Sequence, residues 1–434
     1  MTLLKYKLLS LAVLFSTVLC AQQTPAPKQT QAISIEGGTA HLGNGEVINN
    51  ALIMFNDGKL TFVGSALTKI ARQGTIINAK DKHIYPGFIA PNSTLGLVEI
   101  DAVRATEDEN EVGNMNPHIR SLIAYNTESK VVESMRINGV LMGQITPRGG
   151  RISGTSSIVQ FDAWNWEDAV IKEDDGIHLN WPKPFSRGRW WLGEPATLKE
   201  NKDYNKQIDE LTAYFNENKV YQVGENNSRH LPFEALNGII SGEKTLYIHA
   251  DDEKGITDAI NFKTANNIKK LVIIGGYEAH LVSNLLVKHS IPVLLQRVHS
   301  KPNNDDDDYD LPFTLANRLI KDGVLIGLEN AGDMERMNTR NLPFLAGTCA
   351  AYGLDKETAL SLITLNTAKI LGIDATVGSL EVGKDATLFI SEGDALDMRT
   401  NKIDKAYIQG RDIILKSHQT ELYERYSNKY KNNN

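Results

Sequence analysis

The stretch Tyr85–Gly96, YPGFIAPNSTLG, decides the fold of this chain. Its Pro-Gly start marks a tight turn, and the apolar residues 88–90 that follow predict a buried strand. Small polar residues, Asn92, Ser93 and Thr94, come directly after this strand. In parallel α/β barrels the C-terminal ends of the strands carry the chemistry. We therefore expect these polar side chains to lie at the mouth of a barrel.

Residues 86–375 alternate short apolar runs with helical patterns. The clearest runs and helical patterns are Val140–Thr146, Leu246–Ala250, Ile256–Ala265, Leu311–Lys321 and Val324–Leu328. Strands that alternate with helices of this length indicate βαβ units and a parallel sheet. The sequence therefore predicts the α/β class, with a (β/α)8 TIM-like barrel over residues 86–375.

The sequences on both sides of the predicted barrel have a different pattern, in which short strand-like runs are separated by turns. Asp57-Gly58 lies between two such runs in the N-terminal part, which is a strong hairpin signal. Two β pieces can pair when the termini of the intervening domain lie close together. We predict that residues 32–85 and 376–418 are the two parts of one small β-sandwich domain. Residues 419–434 form a polar C-terminal tail.

Residues 1–21 have the pattern of a secretory signal peptide. Two lysines precede the apolar run Leu8–Cys20, which is too short to span a bilayer. Cleavage is expected at the end of this run, and a lipid anchor on Cys20 is the alternative. The polar linker that follows, residues 22–31, is expected to be disordered. These features predict an exported protein, periplasmic or extracellular, without a transmembrane segment.

Composition excludes one class of partner. The formal net charge is −7 over 434 residues, whereas a general nucleic-acid surface needs a basic patch. We therefore expect a small-molecule ligand or substrate and no nucleic acid. Besides Cys20 there is one cysteine, Cys349, which stands among small residues and is interpreted as a buried structural thiol.

Three segments resemble the amidohydrolase superfamily. PGFIAP (86–91) is similar to its first barrel strand, and TALSLITLNTAKILGID (358–374) with VGSLEVGKDATLFI (377–390) is similar to its closing helix and return strand. GVLMGQITPRGGRISGTSS (139–157) resembles the second and third barrel strands of the imidazolonepropionase-like branch. The resemblance implies a barrel with metal-assisted hydrolysis of non-peptide carbon–nitrogen bonds.

The resemblance also implies where the metal ligands would stand. The family uses a His-x-His pair on strand one, a bridging Lys or Glu, a His at the ends of strands five and six, and an Asp at the end of strand eight. In this sequence the mapped positions carry Asn92, Thr94, His249, Gly275 and Glu329. No residue is matched to the bridging position, and His83, His118 and His178 stay unplaced.

We predict no metal cofactor from this mapping, since catalytic zinc usually has three protein ligands. A weak divalent metal at His249 and Glu329 is the alternative. Glu329 and His249 are the predicted catalytic residues. For His249 the alternative is a hydrogen-bonded polar group in the barrel mouth. For Glu329 the alternative is a salt bridge to Arg336 or Arg340.

Two further stretches are candidates for ligand contacts. Arg148 and Arg151 flank a Gly-Gly pair after a predicted strand, where amides and guanidinium groups could hold a carboxylate or phosphate. We predict that they bind ligand together with Asn92 and Thr94, and the alternative is a plain turn. All five tryptophans lie in Trp164–Trp191, which is interpreted as an insertion forming a lid, a ligand wall or a protein interface.

The sequence leaves more than one function open. The first hypothesis is a secreted hydrolase of non-peptide carbon–nitrogen bonds. The second is a catalytically impaired family member that binds a ligand or supports an intact homologous partner. A homodimer, or pairing with such a homologue, is the expected assembly. A cell-envelope scaffold is the third hypothesis and has the least specific support.

Overall fold

The computed structural model describes residues 24–188, 192–195, 197–221, 229–331 and 336–431. The predicted signal peptide lies outside these residues. The linker was expected to be disordered, but its described part makes specific contacts. Ala26 is buried, and its backbone N–H donates to Asp162 Oδ2 over 2.9 Å. Gln29 donates to the carbonyl of Phe55 over 3.1 Å, so residues 24–31 pack on the fold.

A sheet of eight strands forms the centre of the described chain. In chain order its strands are β8 (Phe88–Ser93), β9 (Val140–Ile145), β10 (Ile152–Gln160), β11 (Val170–Asn180), β14 (Thr245–Ala250), β15 (Leu271–Gly275), β16 (Val293–Leu295) and β17 (Ile326–Leu328). Two short strands, β12 (Phe185–Arg187) and β13 (Leu198–Glu200), form a separate hairpin after β11. Neighbours in the large sheet follow chain order, as expected for a TIM-like barrel.

Helices cover the outside of this sheet or follow it in the chain. They are α1 (Lys130–Arg136), α2 (Trp166–Ala169), α3 (Tyr204–Val220), α4 (Leu231–Ser241), α5 (Glu253–Ala265), α6 (Ser283–Lys288), α7 (Leu311–Lys321), α8 (Leu342–Ala351), α9 (Lys356–Ser361), α10 (Leu365–Leu371) and α11 (His418–Lys431). Each of α5 and α7 begins after one parallel strand and ends before the next, so each is a crossover helix. Within the described ranges, no helix is both long and apolar enough to cross a membrane.

One strand departs from the predicted parallel arrangement. β10 runs antiparallel to both of its neighbours, β9 and β11, while the other adjacent pairs are parallel. The reason is the short connections on either side of it. Residues 146–151 join β9 to β10, and a parallel crossover needs a dozen residues or more. The barrel is therefore dominated by parallel strands but contains one hairpin strand.

The barrel nearly closes between its first and last strands. The N–H of Leu328 in β17 donates to the carbonyl of Leu362 over 3.0 Å. The next residue, Ile363, accepts from the N–H of Ile89 in β8 over 2.9 Å. Residues 362–363 thus take the place of direct pairing between the two strands, and they come directly before α10.

Strands from both chain ends lie outside the barrel. One sheet contains β1 (Ile33–Glu36), β4 (Ala51–Asn56), β5 (Lys59–Ser65) and β6 (Thr75–Asn78). The other combines β2 (Thr39–His41), β3 (Val47–Ile48) and β7 (His83–Pro86) with β18 (Leu388–Ser391), β19 (Ile403–Ile408) and β20 (Arg411–Asp412). Buried side chains of both sheets, such as Ile53 and Leu388, belong to one apolar cluster. That the two sheets constitute a β-sandwich domain stays a prediction.

The tryptophan-rich stretch was wrongly interpreted as an insertion. Its residues 170–180 form β11, a strand of the barrel. Trp181 follows this strand, is buried, and donates from Nε1 to the hydroxyl of Tyr204 over 3.2 Å. Trp164 is exposed before the strand, whereas Trp190 and Trp191 lie outside the described residues. Most of the predicted polar tail is helical, since α11 extends to residue 431.

Candidate active site

The predicted site residues lie at strand ends on one edge of the barrel sheet. Gly275, the last residue of β15, pairs in register with Ala250 in β14 and with Leu295 in β16. Leu295 pairs with Leu328 in β17, and Glu329 follows directly. Because these strands are parallel, His249, Gly275 and Glu329 share the C-terminal edge of the sheet, as the mapping predicted.

Asn92 connects two charged side chains at this edge. It is buried and has a φ of 48°, a conformation that Asn tolerates better than most residues. Its Nδ2 donates to Glu329 Oε2 over 3.3 Å. Arg148 donates to Asn92 Oδ1 over 3.0 Å and to its carbonyl over 2.9 Å. Asn92 therefore holds the Arg148 guanidinium close to the Glu329 carboxyl.

Glu329 is a buried carboxyl with an altered proton affinity. Burial, with a contribution from Asp251, raises its pKa to about 8. The N–H of Ala331, which donates to Oε2 over 2.6 Å, opposes this rise, as do Arg148 and Asn92. The alternative salt bridge to Arg336 is wrong, because Arg336 forms its ion pairs with Asp101 and Glu109.

A pair of histidines lies on neighbouring strands of the same edge. His249 Nε2 and His178 Nδ1 are 3.0 Å apart, and His178 Nε2 is 3.0 Å from the hydroxyl of Ser156. Burial and then the charge of Arg148 lower the pKa of His249 to about 3. The pKa of His178 is lowered well below its usual value, mainly by burial and to a smaller extent by repulsion from His249. Both rings are therefore neutral near pH 7 and are joined by hydrogen bonds.

His178 was missed by sequence reasoning. It lies in β11, the fourth strand of the barrel sheet, between the buried residues Ile177 and Leu179. The signal was present in the sequence, because a polar residue between two apolar ones is typical of a strand. His178 stayed unplaced because the tryptophan-rich stretch was interpreted as an insertion and not as a strand of the barrel.

Asp175 is the centre of the polar network behind these residues. Its Oδ1 accepts from the Ser156 hydroxyl over 2.7 Å, and its Oδ2 accepts from Tyr247 over 2.7 Å and from Gln144 Nε2 over 2.8 Å. Burial raises the pKa of Asp175, and the three donors oppose that rise. Gln144 Oε1 accepts from the N–H of Asn92 over 3.0 Å. The network is therefore continuous from Glu329 to His249.

Two of the predicted ligand-binding residues point to other partners. Thr94 Oγ1 accepts from Arg336 Nε over 3.1 Å. Arg151 donates to the carbonyl of Asn180 over 2.7 Å and to Gln207 Oε1 over 3.1 Å. The structure therefore brings Asn92, Arg148, His249 and Glu329 into one network, while Thr94 and Arg151 are held by separate contacts.

Gly275 leaves room for a carboxylate. A Cβ atom built on this residue would lie 2.2 Å from Asp251 Oδ1, which is far inside van der Waals contact. Its φ of 97° is a second reason for glycine at this position. Any side chain at residue 275 would therefore clash with the carboxylate of Asp251.

The zinc centre of the resembled family does not fit these side chains. Among the described residues, no group of three or more His, Cys, Asp or Glu side chains could hold a metal ion. The Asn92 side-chain oxygen already accepts from a guanidinium, and Gly275 offers no side chain. Neutral amide and hydroxyl oxygens are poor zinc ligands beside imidazole.

Comparison with known proteins gives consistent results along the chain. The family model described as "Amidohydrolase family" matches residues 314–413. An imidazolonepropionase of Flavobacterium johnsoniae is 22% identical over 401 residues, covering 84% of this chain and 90% of that protein. A 5'-deoxyadenosine deaminase of Methanobrevibacter smithii is 22% identical over 378 residues, covering 81% of each chain.

A solved structure supports the fold over most of the chain. An amidohydrolase from Thermotoga maritima superposes with a TM-score of 0.72 and 24% identity, covering 88% of this chain and 99% of that one. At this level of identity the likeness shows the fold alone. It agrees with the TIM-like barrel described above.

Proposed function

Since the chain belongs to the amidohydrolase superfamily and is imidazolonepropionase-like, we propose that it hydrolyses a non-peptide carbon–nitrogen bond of a small molecule without a catalytic metal. One observation carries the proposal. Glu329 is a buried carboxyl at the end of the last barrel strand, its pKa is raised to about 8, and Arg148 lies nearby. A carboxyl at a strand end whose pKa lies near neutral pH can both accept and return a proton during catalysis.

The proposed chemistry uses residues of this chain alone. The Glu329 carboxylate takes a proton from water as the water oxygen adds to the carbon of the C–N bond, and it then returns that proton to the leaving nitrogen. Both hydrogen bonds at this carboxyl end on Oε2, so Oε1 has no such bond to the described residues. The Arg148 guanidinium would stabilise the oxyanion that forms on the substrate. Neutral His249 would orient the substrate by hydrogen bonding.

We expect the purified protein to contain no stoichiometric zinc, and chelators to leave its hydrolytic activity unchanged. Metal affinity depends on deprotonated ligands held in place, and of the mapped positions only His249 and Glu329 offer strong ones. The measurement is elemental analysis, followed by hydrolysis assays with and without chelator on N-acyl amino acids and lactams. About one metal per chain, with activity lost on chelation, would contradict the proposal.

The activity is expected to rise with pH and to level off above about pH 8. Glu329 acts in its ionised form, and burial raises the pKa of this carboxyl to about 8, so the active fraction grows as pH increases through that value. Below the pKa, kcat/KM should change by about tenfold per pH unit. A pH profile of kcat/KM from pH 5.5 to 9.5 measures this. A flat profile, or a fall in this range, is incompatible with a Glu329 base.

A second candidate function follows from the hydrogen bonds at the site. Asn92 and His178 have well-placed partners within the protein, so the network is stable without reactants. A catalytically impaired protein that binds a ligand, or supports an intact homologous partner, would have this property. Ligand binding without hydrolysis of any substrate in the panel would favour the second candidate over the first.

We also propose that the protein is exported and that its two outer sheets form a β-sandwich. The basic and apolar pattern of residues 1–21 supports export, and sequencing of the mature N-terminus tests it. A mature chain that still begins at Met1 would contradict export. The apolar cluster shared by the two outer sheets supports the sandwich, as does the presence of both chain ends in one sheet. An experimental structure in which these sheets do not face each other would contradict it.

A further inference from the structure

A cavity of about 710 Å³ opens at the mouth of the barrel. Its lining residues come from the connections after β11, β14, β15 and β16, including the β12–β13 hairpin. They include Lys183, Asp251, Tyr277 and Asn303. Because barrel enzymes bind substrates in the loops after the strand ends, this cavity is at the expected place for a ligand.

Asp251 brings a negative charge into this cavity. Its carboxylate fills the space left by Gly275, and burial raises its pKa, with Asp252 and Glu278 contributing. Lys183 opposes the rise from a distance. Within the described part of the chain, no Lys or Arg forms an ion pair with Asp251. Asp251 is partly buried, and a carboxylate in such a place without an ion-pair partner favours a cation that comes from outside.

The other charges of the cavity agree with a cationic ligand. Four carboxylates line it, those of Asp251, Asp252, Glu253 and Glu278. Three basic residues also line it, Lys183, Arg187 and Lys254. Lys254 pairs with Asp258 over 2.8 Å, and Arg187 donates to Asn304 over 2.9 Å. Among the lining residues the carboxylates outnumber the basic side chains, and this balance disfavours an anionic ligand relative to a cationic one.

We propose that this cavity binds one end of the substrate and that Asp251 recognises a cationic amine on that end. The substrate class is then an amide or lactam that carries an ammonium group a few bonds from the carbon–nitrogen bond. This inference rests on the proposed hydrolysis. Asp251 follows β14 and Glu329 follows β17, so both lie at the C-terminal edge of the same sheet, with β15 and β16 between them.

The test is a binding measurement on the full mature chain with three ligands of similar shape. N-acetylputrescine carries a cation, N-butylacetamide is neutral, and 4-acetamidobutanoate carries an anion. By titration calorimetry we expect the cation to bind at least about tenfold tighter than the neutral amide, and the anion to bind weakest. Equal binding of the three ligands by the wild-type protein overturns the proposal, and this comparison needs no variant.

Two matched variants identify the residue. Asp251→Asn should reduce the preference for the cation to about twofold or less. Asp174→Asn removes the same charge from a residue that does not line the cavity, where Asp174 pairs with Arg120 over 2.8 Å. This control should keep the preference within about twofold of wild type. Retention of the preference in Asp251→Asn, or its loss in Asp174→Asn, contradicts the assignment.

Binding and turnover separate the two proposals. If the protein prefers the cation but hydrolyses no substrate, the proposed hydrolysis is contradicted and the amine site is supported. If the protein hydrolyses neutral amides without a metal and shows no preference for the cation, only the amine site is contradicted.

Discussion

Replacement of Asp175 by Asn is expected to lower the free energy of unfolding by about 3 kcal/mol. The carboxylate of Asp175 is fully buried and accepts hydrogen bonds from Ser156, Tyr247 and Gln144. An amide keeps the size of the side chain but turns one acceptor into a donor, which then faces another buried donor. Leaving such groups unsatisfied costs about 1–3 kcal/mol each.

Asp174→Asn is the matched control on the same strand. Asp174 is partly exposed and pairs with Arg120 over 2.8 Å, and such pairs contribute at most about 1 kcal/mol. Its φ of 49° is also tolerated by Asn. Urea unfolding of both variants, followed by circular dichroism, measures the difference. If Asp175→Asn is no less stable than the control, Asp175 does not hold the network together.

Much of the barrel could be predicted because its signals are local. The Pro-Gly turn and apolar run of residues 86–90 predicted β8, and the apolar run ending at Leu328 predicted β17 and placed Glu329 at its end. The reversed strand β10 could not be predicted from the resemblance alone. A short connection after β9 decides its direction, and that connection was interpreted as a ligand loop.

The contacts of the site were harder to predict, because they join residues that are distant in sequence. Asn92 and Glu329 are separated by 237 positions, so no local pattern reports their hydrogen bond. The alternative role for Glu329 was a salt bridge to Arg336 or Arg340, and of these Arg336 pairs with Asp101 and Glu109. Local sequence patterns were enough to locate the strand ends. Which charged side chains pair with each other could be seen only in the folded structure.

Glu329→Gln is expected to reduce kcat by about 10²–10⁴-fold on a substrate that the wild-type protein hydrolyses. An amide cannot take a proton from water at neutral pH, so the proposed step is lost. In Glu329 both hydrogen bonds, from Asn92 and from the N–H of Ala331, end on the same oxygen, Oε2. The amide oxygen of the glutamine can take that position and accept both bonds. The NH2 group then takes the position of the other carboxylate oxygen. Ligand affinity and thermal stability should therefore stay close to wild type.

The measurement that tests the proposed function most directly is steady-state kinetics of Glu329→Gln beside calorimetric binding of the same ligand. The predicted result is a loss of kcat with the dissociation constant unchanged within about threefold, and with the remaining activity no longer rising with pH through about 8. A variant that keeps wild-type kcat and the wild-type pH profile would contradict the role of Glu329 in proton transfer.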